Sequence, residues 1–204
     1  MQQTKAIIFD LGGVLLNIDY HLTRKSFEEL GVNRFTEMYS QAAADRLFEK
    51  LEKGTIQDED FYIEFNKCAG LNLSQDQIDN AWNAMLLDFR ESSLTFLNRI
   101  KNKYRLFLLS NTNDIHCRKF REMYFARPRA EAFEKFFEKA YYSFDMRMRK
   151  PDEECYSCVL LENDLNPEST LFIDDSSQNV EAAKKLGITT IQLQPGMRIE
   201  NLGL

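Results

Sequence analysis

The sequence predicts an α/β protein in which a parallel sheet carries helices on both faces and a small all-helical domain is inserted after the first strand. Two observations lead to this fold class: short apolar runs alternate with helical patterns, and the interval between the first two runs is very long. The chain has 204 residues, of which 44% are hydrophobic and 28% are charged, a composition typical of a globular protein.

Five short apolar runs have the length and composition of buried parallel strands. They are Ala6–Phe9, Leu106–Leu109, Ala140–Ser143, Leu171–Ile173 and Thr189–Leu193. Helical patterns separate most of them; Val180, Ala183 and Leu186, for example, share one helical face, and Gly187 follows at a typical helix end. This alternation predicts right-handed βαβ units and therefore a parallel sheet.

The interval between the first two runs has helical rather than strand periodicity. Ser74–Gln77 fits a capping box, and apolar residues then recur at the spacing of an amphipathic helix. These residues are Ile78, Ala81, Trp82, Met85, Leu86 and Phe89. The pairs Phe27/Leu30, Leu47/Leu51 and Phe61/Phe65 predict three further helices, about four in all. We therefore expect a helical domain over residues 15–89 and a core made of residues 1–14 and 90–204.

Charge and the N-terminal sequence narrow the class of protein. A formal net charge of -6 argues against a nucleic-acid partner, which requires clustered cations. No basic segment followed by a long apolar stretch precedes Ala6, and no run approaches the roughly 18 apolar residues of a membrane-spanning helix. We expect a cytoplasmic protein without a membrane partner and with reduced cysteines. The sequence carries no signal for an oligomeric state.

Polar residues follow several of the predicted strands directly. Asp10, Gly12 and Gly13 follow the first strand, Ser110–Thr112 follow the second, and Asp174–Asp175 follow the fourth. In an open parallel sheet, ligands bind outside the carboxyl ends of the strands. Lys150 comes after the third strand, one loop later, and we expect it at the same edge.

These residues provide the parts that phosphoryl transfer requires: a nucleophile, a hard divalent cation, hydrogen-bond donors and a fixed positive charge. Asp10 can attack phosphorus to give an aspartyl-phosphate, and Asp10 and Asp174 offer oxygen ligands that suit Mg²⁺. Ser110 and the backbone amide of Asn111 can hold phosphoryl oxygens. Lys150 can bind the phosphoryl group and support the carboxylates electrostatically.

Several of these residues also have simpler interpretations. Asp175 is a secondary candidate for the metal site, since it could equally cap the following helix or form an ion pair with Lys150. Ser110 could cap a helix, and Lys150 could be a solvated loop cation. Asn179 is expected to hydrogen-bond locally and to orient the loop of Asp174.

The order of the four motifs, at Asp10, Ser110, Lys150 and Asp174–Asp175, resembles that of the haloacid dehalogenase-like hydrolase superfamily over nearly the whole chain. Phe-Asp-Leu-Gly-Gly-Val, Ser-Asn-Thr-Asn and Met-Arg-Lys-Pro are similar to its sugar-phosphate phosphatase branch, and the inserted segment has the position of its helical cap. The resemblance implies a Rossmann-like core, dependence on Mg²⁺, a covalent intermediate on Asp10, and metal coordination by the backbone carbonyl of Gly12.

One position departs from the pattern of that superfamily. Most of its phosphatases carry a second aspartate two residues after the nucleophile, where it protonates the leaving group, and here that position is Gly12. General acid catalysis is typically worth about 10²- to 10⁴-fold. We therefore expect slow turnover or a leaving group that needs little protonation, as in sugar 1-phosphates and acyl phosphates, unless Asp19 or a residue of the cap replaces the acid.

The sequence thus predicts a phosphatase that uses Mg²⁺ to hydrolyse a small phosphorylated metabolite, with sugar phosphates as a candidate class. Two alternatives stay open. The first is a dehalogenase-type hydrolase, in which the aspartate attacks carbon and no cation is needed. The second, motivated by Gly12, is a catalytically weak protein that binds phosphate or regulates a partner.

Overall fold

The centre of the molecule is a five-stranded parallel sheet, seen in a computed structural model that describes residues 3–39, 47–128 and 130–204. In chain order the strands are β1 (Ala6–Phe9), β2 (Leu16–Ile18), β3 (Leu86–Phe89), β4 (Arg105–Ser110), β5 (Lys139–Tyr142), β6 (Thr170–Asp174) and β7 (Thr189–Gln192). The sheet has the order β5-β4-β1-β6-β7, and all of its neighbouring strands pair in parallel. The predicted fold class is confirmed.

Helices cover both faces of the sheet and fill the interval between β1 and β4. They are α1 (Tyr20–Glu29), α2 (Phe35–Tyr39), α3 (Leu47–Glu52), α4 (Asp58–Ala69), α5 (Gln75–Asn83), α6 (Glu91–Ile100), α7 (Asp114–Phe125), α8 (Ser143–Met146), α9 (Glu153–Glu162) and α10 (Ser177–Lys185). Ser143, expected to end a strand, instead begins α8. Within the described ranges, we find no helix with both the length and the apolar character needed to cross a bilayer.

The two faces of the sheet have separate apolar cores because successive strand residues point to opposite sides. On one side, Ile7 and Phe9 pack with α6 and α7. On the other, Ala6 and Ile8 pack with α9 and α10. All four of these β1 residues are buried, which explains why the strand reads as a continuous apolar run rather than an alternating one.

The inserted helices α1–α5 have an apolar core of their own. Phe27, Phe61, Phe65 and Trp82 are almost completely buried in it, and each such side chain contributes roughly 1.5–3 kcal/mol through burial. Ile115 of α7 belongs to the same cluster. The insert therefore rests on the sheet domain through α7.

The helix predicted to reach Leu86 and Phe89 ends earlier, so this part of the prediction was wrong. The capping box is present: the Ser74 hydroxyl accepts from the backbone of Gln77, whose side chain accepts from the backbone of Ser74. The helix, α5, nevertheless ends at Asn83, and Leu86–Phe89 forms β3, antiparallel to β2. Spacing alone could not distinguish the two structures, because pairing with a strand some 70 residues away decides this one.

The insert also contains one helix more than predicted among its described residues. The additional helix is α2, which has five residues and is too short to show apolar periodicity. The expected pairs fall in α1, α3 and α4, although Leu30 is the residue that caps the end of α1.

The two segments that join the sheet to the insert are tied together at Arg90. Its backbone N–H donates to the carbonyl of Leu15, and its guanidinium donates to the carbonyl of Val14 at 3.0 Å and to Asn17 Oδ1 at 2.7 Å. The connection is therefore a paired, hydrogen-bonded element, which places β2 and the start of the insert beside the carboxyl end of β1.

Candidate active site

The strand ends that the sequence analysis singled out meet at one edge of the sheet. Strand β1 lies between β4 and β6, and Phe9 is level with Leu108 and with Ile173 in the two registers. Asp10 follows immediately, and its backbone N–H donates to the carbonyl of Ile173 at 2.9 Å. Asp10 therefore lies next to the end of β6, which is Asp174.

Lys150 links the two carboxylates at this edge. Its Nζ lies 2.7 Å from Asp10 Oδ1 and 2.7 Å from Asp174 Oδ2, and the side chain is only 1% exposed. The aliphatic part of the lysine is therefore enclosed and its ammonium group is paired twice. Lys150 is not a solvated loop cation.

Asn111 holds the backbone of Lys150 in place. The side-chain amide of Asn111 donates to the Lys150 carbonyl at 2.8 Å, and its Oδ1 accepts from the Lys150 N–H at 2.9 Å. The side-chain amide of Asn111 is thus occupied, and its backbone amide is the donor left for the phosphoryl oxygen that was expected there. The neighbouring Ser110 is buried at the end of β4 and does not cap α7, whose N-cap is Asn113.

Asp174 is fully buried and has several donors. Its Oδ1 accepts from the backbone of Ser176 at 2.8 Å, and the side-chain amide of Asn179 lies 3.2 Å and 3.0 Å from the two carboxylate oxygens. The local interaction expected of Asn179 is observed. These contacts give both oxygens of the buried carboxylate hydrogen-bond donors, as a buried polar group requires.

Asp10, Asp174 and Asp175 form a cluster in which one oxygen from each carboxylate lies within 4.8 Å of the others. Asp175 is exposed and packs against Gly13, where a Cβ would overlap its carboxylate; Gly13 also has a φ of +70°, which favours glycine. The ion pairs of Lys150 go to the other two aspartates, and α10 has Ser176 as its N-cap. The described contacts of Asp175 thus support its place in the carboxylate cluster.

The charge balance of the cluster suits a divalent cation. Burial raises the pKa of Asp10 to about 7, against the opposing effect of Lys150 and with a further increase from Asp174 and Asp175. Burial lowers the pKa of Lys150, but the two paired carboxylates outweigh this and raise it, so the lysine stays charged. Three carboxylates face one lysine, and such an oxygen-rich, net negative set fits Mg²⁺.

A cleft of about 240 Å³ opens over these residues. The sheet domain contributes Asp10, Gly12, Ser110 and Asn111 to its lining, together with residues near the end of β6. The insert contributes Tyr20, Tyr39, Glu52 and Met85. Side chains of the helical insert therefore line the cleft opposite the sheet domain.

Gly12 lines the cleft without a side chain, and the adjoining space is occupied. A Cβ at Gly12 would lie 3.1 Å from Ile18 Cδ1. Asp19, considered as a substitute acid, is the N-cap of α1 and accepts from the backbone of His21 at 2.9 Å. Asp19 is absent from the described cleft lining.

Two further charged residues of the cleft were not identified from the sequence. Glu52, the last residue of α3, has a side chain that is 16% exposed, and its Oε2 lies 2.9 Å from Nη1 of Arg149. An acidic residue in the last turn of a helix opposes the helix dipole, and this could have drawn attention to Glu52. Arg149 directly precedes Lys150, and this position next to a predicted site residue could have drawn attention to it.

His116 also lines the cleft, where it connects α7 to the insert. Its ring stacks on Trp82 at 4.8 Å, with Nε2 3.1 Å from the Trp82 carbonyl and Nδ1 3.2 Å from the Asn113 amide. Burial lowers the pKa of His116 to about 4. A neutral ring with its proton on Nε2 satisfies both contacts.

With this geometry established, comparison with known proteins identifies the family. Residues 7–193 match the family model described as haloacid dehalogenase-like hydrolase, and the chain belongs to this family. The predicted resemblance is confirmed.

Among characterised relatives, the chain is similar to D-ribitol-5-phosphate phosphatase of Bacteroides thetaiotaomicron, with 26% identity over 94% of this chain and 93% of that protein. It is also similar to a sesquiterpene phosphatase of Aspergillus oryzae, with 29% identity over 93% of this chain and 89% of the relative.

Among solved structures, the HAD family enzyme BT-2542 of Bacteroides thetaiotaomicron is a near match. Its wild-type complex with magnesium and inorganic phosphate superposes with a TM-score of 0.91 at 35% identity, covering 98% of this chain and 100% of that chain.

Proposed function

We propose that this protein is a Mg²⁺-dependent phosphatase of a small phosphorylated metabolite and that Asp10 is its nucleophile. The observation that carries the proposal is the cluster of Asp10, Asp174 and Asp175 at the carboxyl edge of the sheet, with Lys150 bound between the first two. The relatives support it, since two characterised ones are phosphatases and BT-2542 binds magnesium together with inorganic phosphate.

The residues that would hold the cation are Asp10, Asp174 and the backbone carbonyl of Gly12, with Asp175 as a secondary ligand. Bound there, Mg²⁺ would neutralise phosphoryl oxygens and so reduce their repulsion of the nucleophile. Ser110 and the backbone amide of Asn111 would hold the remaining oxygens.

In the proposed reaction, a carboxylate oxygen of Asp10 attacks phosphorus while the bond from phosphorus to the leaving-group oxygen breaks. The aspartyl-phosphate on Asp10 is then hydrolysed by water, which restores the carboxylate and releases phosphate. Lys150 favours the ionised form of Asp10 throughout, because the ammonium lies 2.7 Å from its oxygen in a buried site.

The helical insert has the position expected of a cap. We propose that residues 15–89 form a cap domain on a core of residues 1–14 and 90–204, and that closure of the cap excludes bulk water from the site. The paired strands β2 and β3 are the candidate hinge, since both connections pass through them.

The finer proposal concerns the substrate. The insert side of the cleft, here called the roof, carries Glu52, Tyr20 and Tyr39. Together with Arg149, which precedes Lys150, these residues provide polar groups that suit a hydroxylated leaving group such as a sugar or polyol. The similarity to D-ribitol-5-phosphate phosphatase agrees with this chemistry. A polyol or sugar phosphate is therefore our first candidate.

Phosphate release from 4-nitrophenyl phosphate tests the proposal. We expect turnover with Mg²⁺, none in excess chelator, and a loss of about 10⁴-fold or more in Asp10→Asn. Asp60→Asn, at an exposed position of α4, is the matched control and should be fully active. Unchanged turnover in Asp10→Asn would exclude Asp10 as the nucleophile.

The same assay separates the two alternatives. Hydrolysis that persists in chelator would favour a dehalogenase-type site. Tight binding of inorganic phosphate without turnover of any ester in a broad panel would favour a binding or regulatory protein.

A further inference from the structure

We propose that Glu52 is the general acid of the reaction and protonates the leaving-group oxygen, a step for which position 12 has no side chain. The inference rests on the proposed phosphatase function. It extends that function by assigning the acid to the helical insert, opposite the nucleophile, rather than to the loop after β1.

Glu52 is placed in the same cleft as the nucleophile. It ends α3 and lines the cleft together with Asp10 and Gly12. The pKa of Tyr20 is affected by both Asp10 and Glu52. Burial raises this pKa, and the charges of Tyr39, Asp10 and Glu52 raise it further. Both carboxyl groups therefore lie near enough to Tyr20 to influence its pKa.

The carboxyl group of Glu52 is held by charge but is not saturated by hydrogen bonds. Arg149 Nη1 lies 2.9 Å from Glu52 Oε2, yet this oxygen is buried without a hydrogen bond of acceptable geometry to any described residue. Arg149 Nε is likewise buried without a partner among the described residues. Buried polar groups are normally hydrogen-bonded, so structural stability alone does not account for this arrangement.

The surroundings of Glu52 favour its protonated form. Burial raises the pKa of Glu52, Arg149 lowers it, and Glu49 raises it again, with a net increase. A phosphate dianion in the cleft adds negative charge nearby and raises the pKa further. A larger fraction of Glu52 is therefore protonated near neutral pH than for an exposed glutamate, as an acid catalyst requires.

The other titratable groups of the described cleft lining suit this step less well. Both ring nitrogens of His116 are engaged, and Lys150 is bound between two carboxylates. Burial raises the pKa of Tyr20 and raises that of Tyr39 to about 12, which makes both phenols weak acids. Asp175 belongs to the carboxylate cluster.

Each proton that moves in the step has a donor and an acceptor. As Asp10 attacks phosphorus and the bond to the leaving oxygen breaks, that oxygen takes the proton of Glu52 and departs as an alcohol. Glu52, now a carboxylate, takes a proton from the water that attacks the aspartyl-phosphate. Phosphate is released, and Asp10 and Glu52 return to their starting forms.

Leaving-group dependence tests the inference. We would compare the unsubstituted protein and Glu52→Gln on 2,4-dinitrophenyl phosphate, whose leaving group needs no proton, and on the best alkyl ester from a panel of polyol and sugar phosphates. We expect Glu52→Gln to lose about 10²-fold in kcat/KM on the alkyl ester and no more than a few-fold on the aryl ester. Asp60→Asn, at an exposed position of α4, is the control and should leave both rates unchanged.

The pH profile provides a second readout. For the alkyl ester, kcat/KM should fall as pH rises through the pKa of Glu52, and this limb should vanish in Glu52→Gln. The groups that act on Glu52 are Arg149, Glu49, Tyr20 and Tyr39, and all are kept in the variant. Circular dichroism and melting temperature check that the variant is folded.

Equal losses on both esters, or no loss on either, would overturn the assignment of Glu52. Cleavage of the aryl ester alone by the unsubstituted protein, with no alkyl ester turned over, would also contradict it, because the site would then lack a working acid. If the unsubstituted protein hydrolysed neither kind of ester, the proposed phosphatase function itself would fail, and the role of Glu52 with it.

Discussion

The two sides of the cleft differ in how completely their charged groups are satisfied. On the sheet side, Lys150 binds Asp10 and Asp174, and Asp174 accepts further hydrogen bonds from Ser176 and Asn179. Where the insert faces the sheet domain, Glu52 of α3 and Arg149, which precedes Lys150, leave a buried acceptor and a buried donor without hydrogen bonds to described residues. The sheet side is organised before substrate binds, whereas we propose that substrate completes the roof, which is where specificity would arise.

The largest effect is expected from removing the cation on the sheet side. Lys150→Met leaves two buried carboxylates facing each other, and breaking a buried pair in this way costs about 3–5 kcal/mol. Urea denaturation in chelator measures the free energy of unfolding. The cost should shrink as pH falls, because protonation of Asp10, whose pKa is already about 7, removes the repulsion.

Lys53→Met is the matched control for that variant. Lys53 pairs with Glu49 and Asp152 at the surface, where an ion pair is worth about 0–1 kcal/mol. Equal stabilities of Lys150→Met and Lys53→Met would contradict the idea that the sheet side is a closed, interdependent network.

A smaller effect is expected where the roof docks on the sheet domain. The pKa of His116 is lowered from 6.5 to about 4, so the neutral ring contributes stability that is full above pH 6.5 and is lost as pH falls towards 4. Between pH 7 and pH 5 this amounts to about 2 kcal/mol. His116→Gln should lack this part of the pH dependence, as measured by urea denaturation at both pH values.

His21→Gln provides the comparison, because His21 is exposed on α1. It should keep the pH dependence of the unsubstituted protein. Identical pH dependence in His116→Gln would show that this histidine is not held neutral between α7 and Trp82.

The smallest expected effect tests whether an acid on the sheet side of the cleft can replace Glu52 on the insert side. Gly12→Asp places a carboxyl on the sheet side, but its Cβ would lie 3.1 Å from Ile18 Cδ1, so Ile18→Ala is needed to make room. In a Glu52→Gln background, this double substitution should raise turnover of the alkyl ester about 10-fold, part of the usual contribution of a general acid.

The reference protein carries Ile18→Ala and Glu52→Gln only. Comparing its steady-state kinetics with those of the protein that also carries Gly12→Asp isolates the contribution of the new carboxyl. No increase on adding Gly12→Asp would mean that an acid at position 12 does not reach the leaving group in this protein.

What could be predicted from the sequence follows the same division. Asp10, Ser110 and Asp174 were identified because each residue ends or directly follows an apolar run, and parallel strands bring such ends together. The positions are local in the sequence, and the sheet order then unites them at one edge.

The roof could not be predicted in this way. Glu52 reaches the cleft because of how α3 packs in the insert, and no apolar run marks that approach. Leu86 and Phe89 were misassigned to a helix for a related reason, since their partner strand is distant in sequence. Non-local packing, rather than residue type, decides both cases.

The central claim is that Asp10 becomes covalently phosphorylated during turnover, and trapping the intermediate tests it most directly. The protein would be mixed with its best substrate and Mg²⁺, quenched in acid, digested and analysed by mass spectrometry. We predict a phosphoryl group on the peptide that contains Asp10, removed by hydroxylamine and absent from Asp10→Asn. A phosphorylated peptide elsewhere in the chain, or turnover without any acyl-phosphate, would contradict the account.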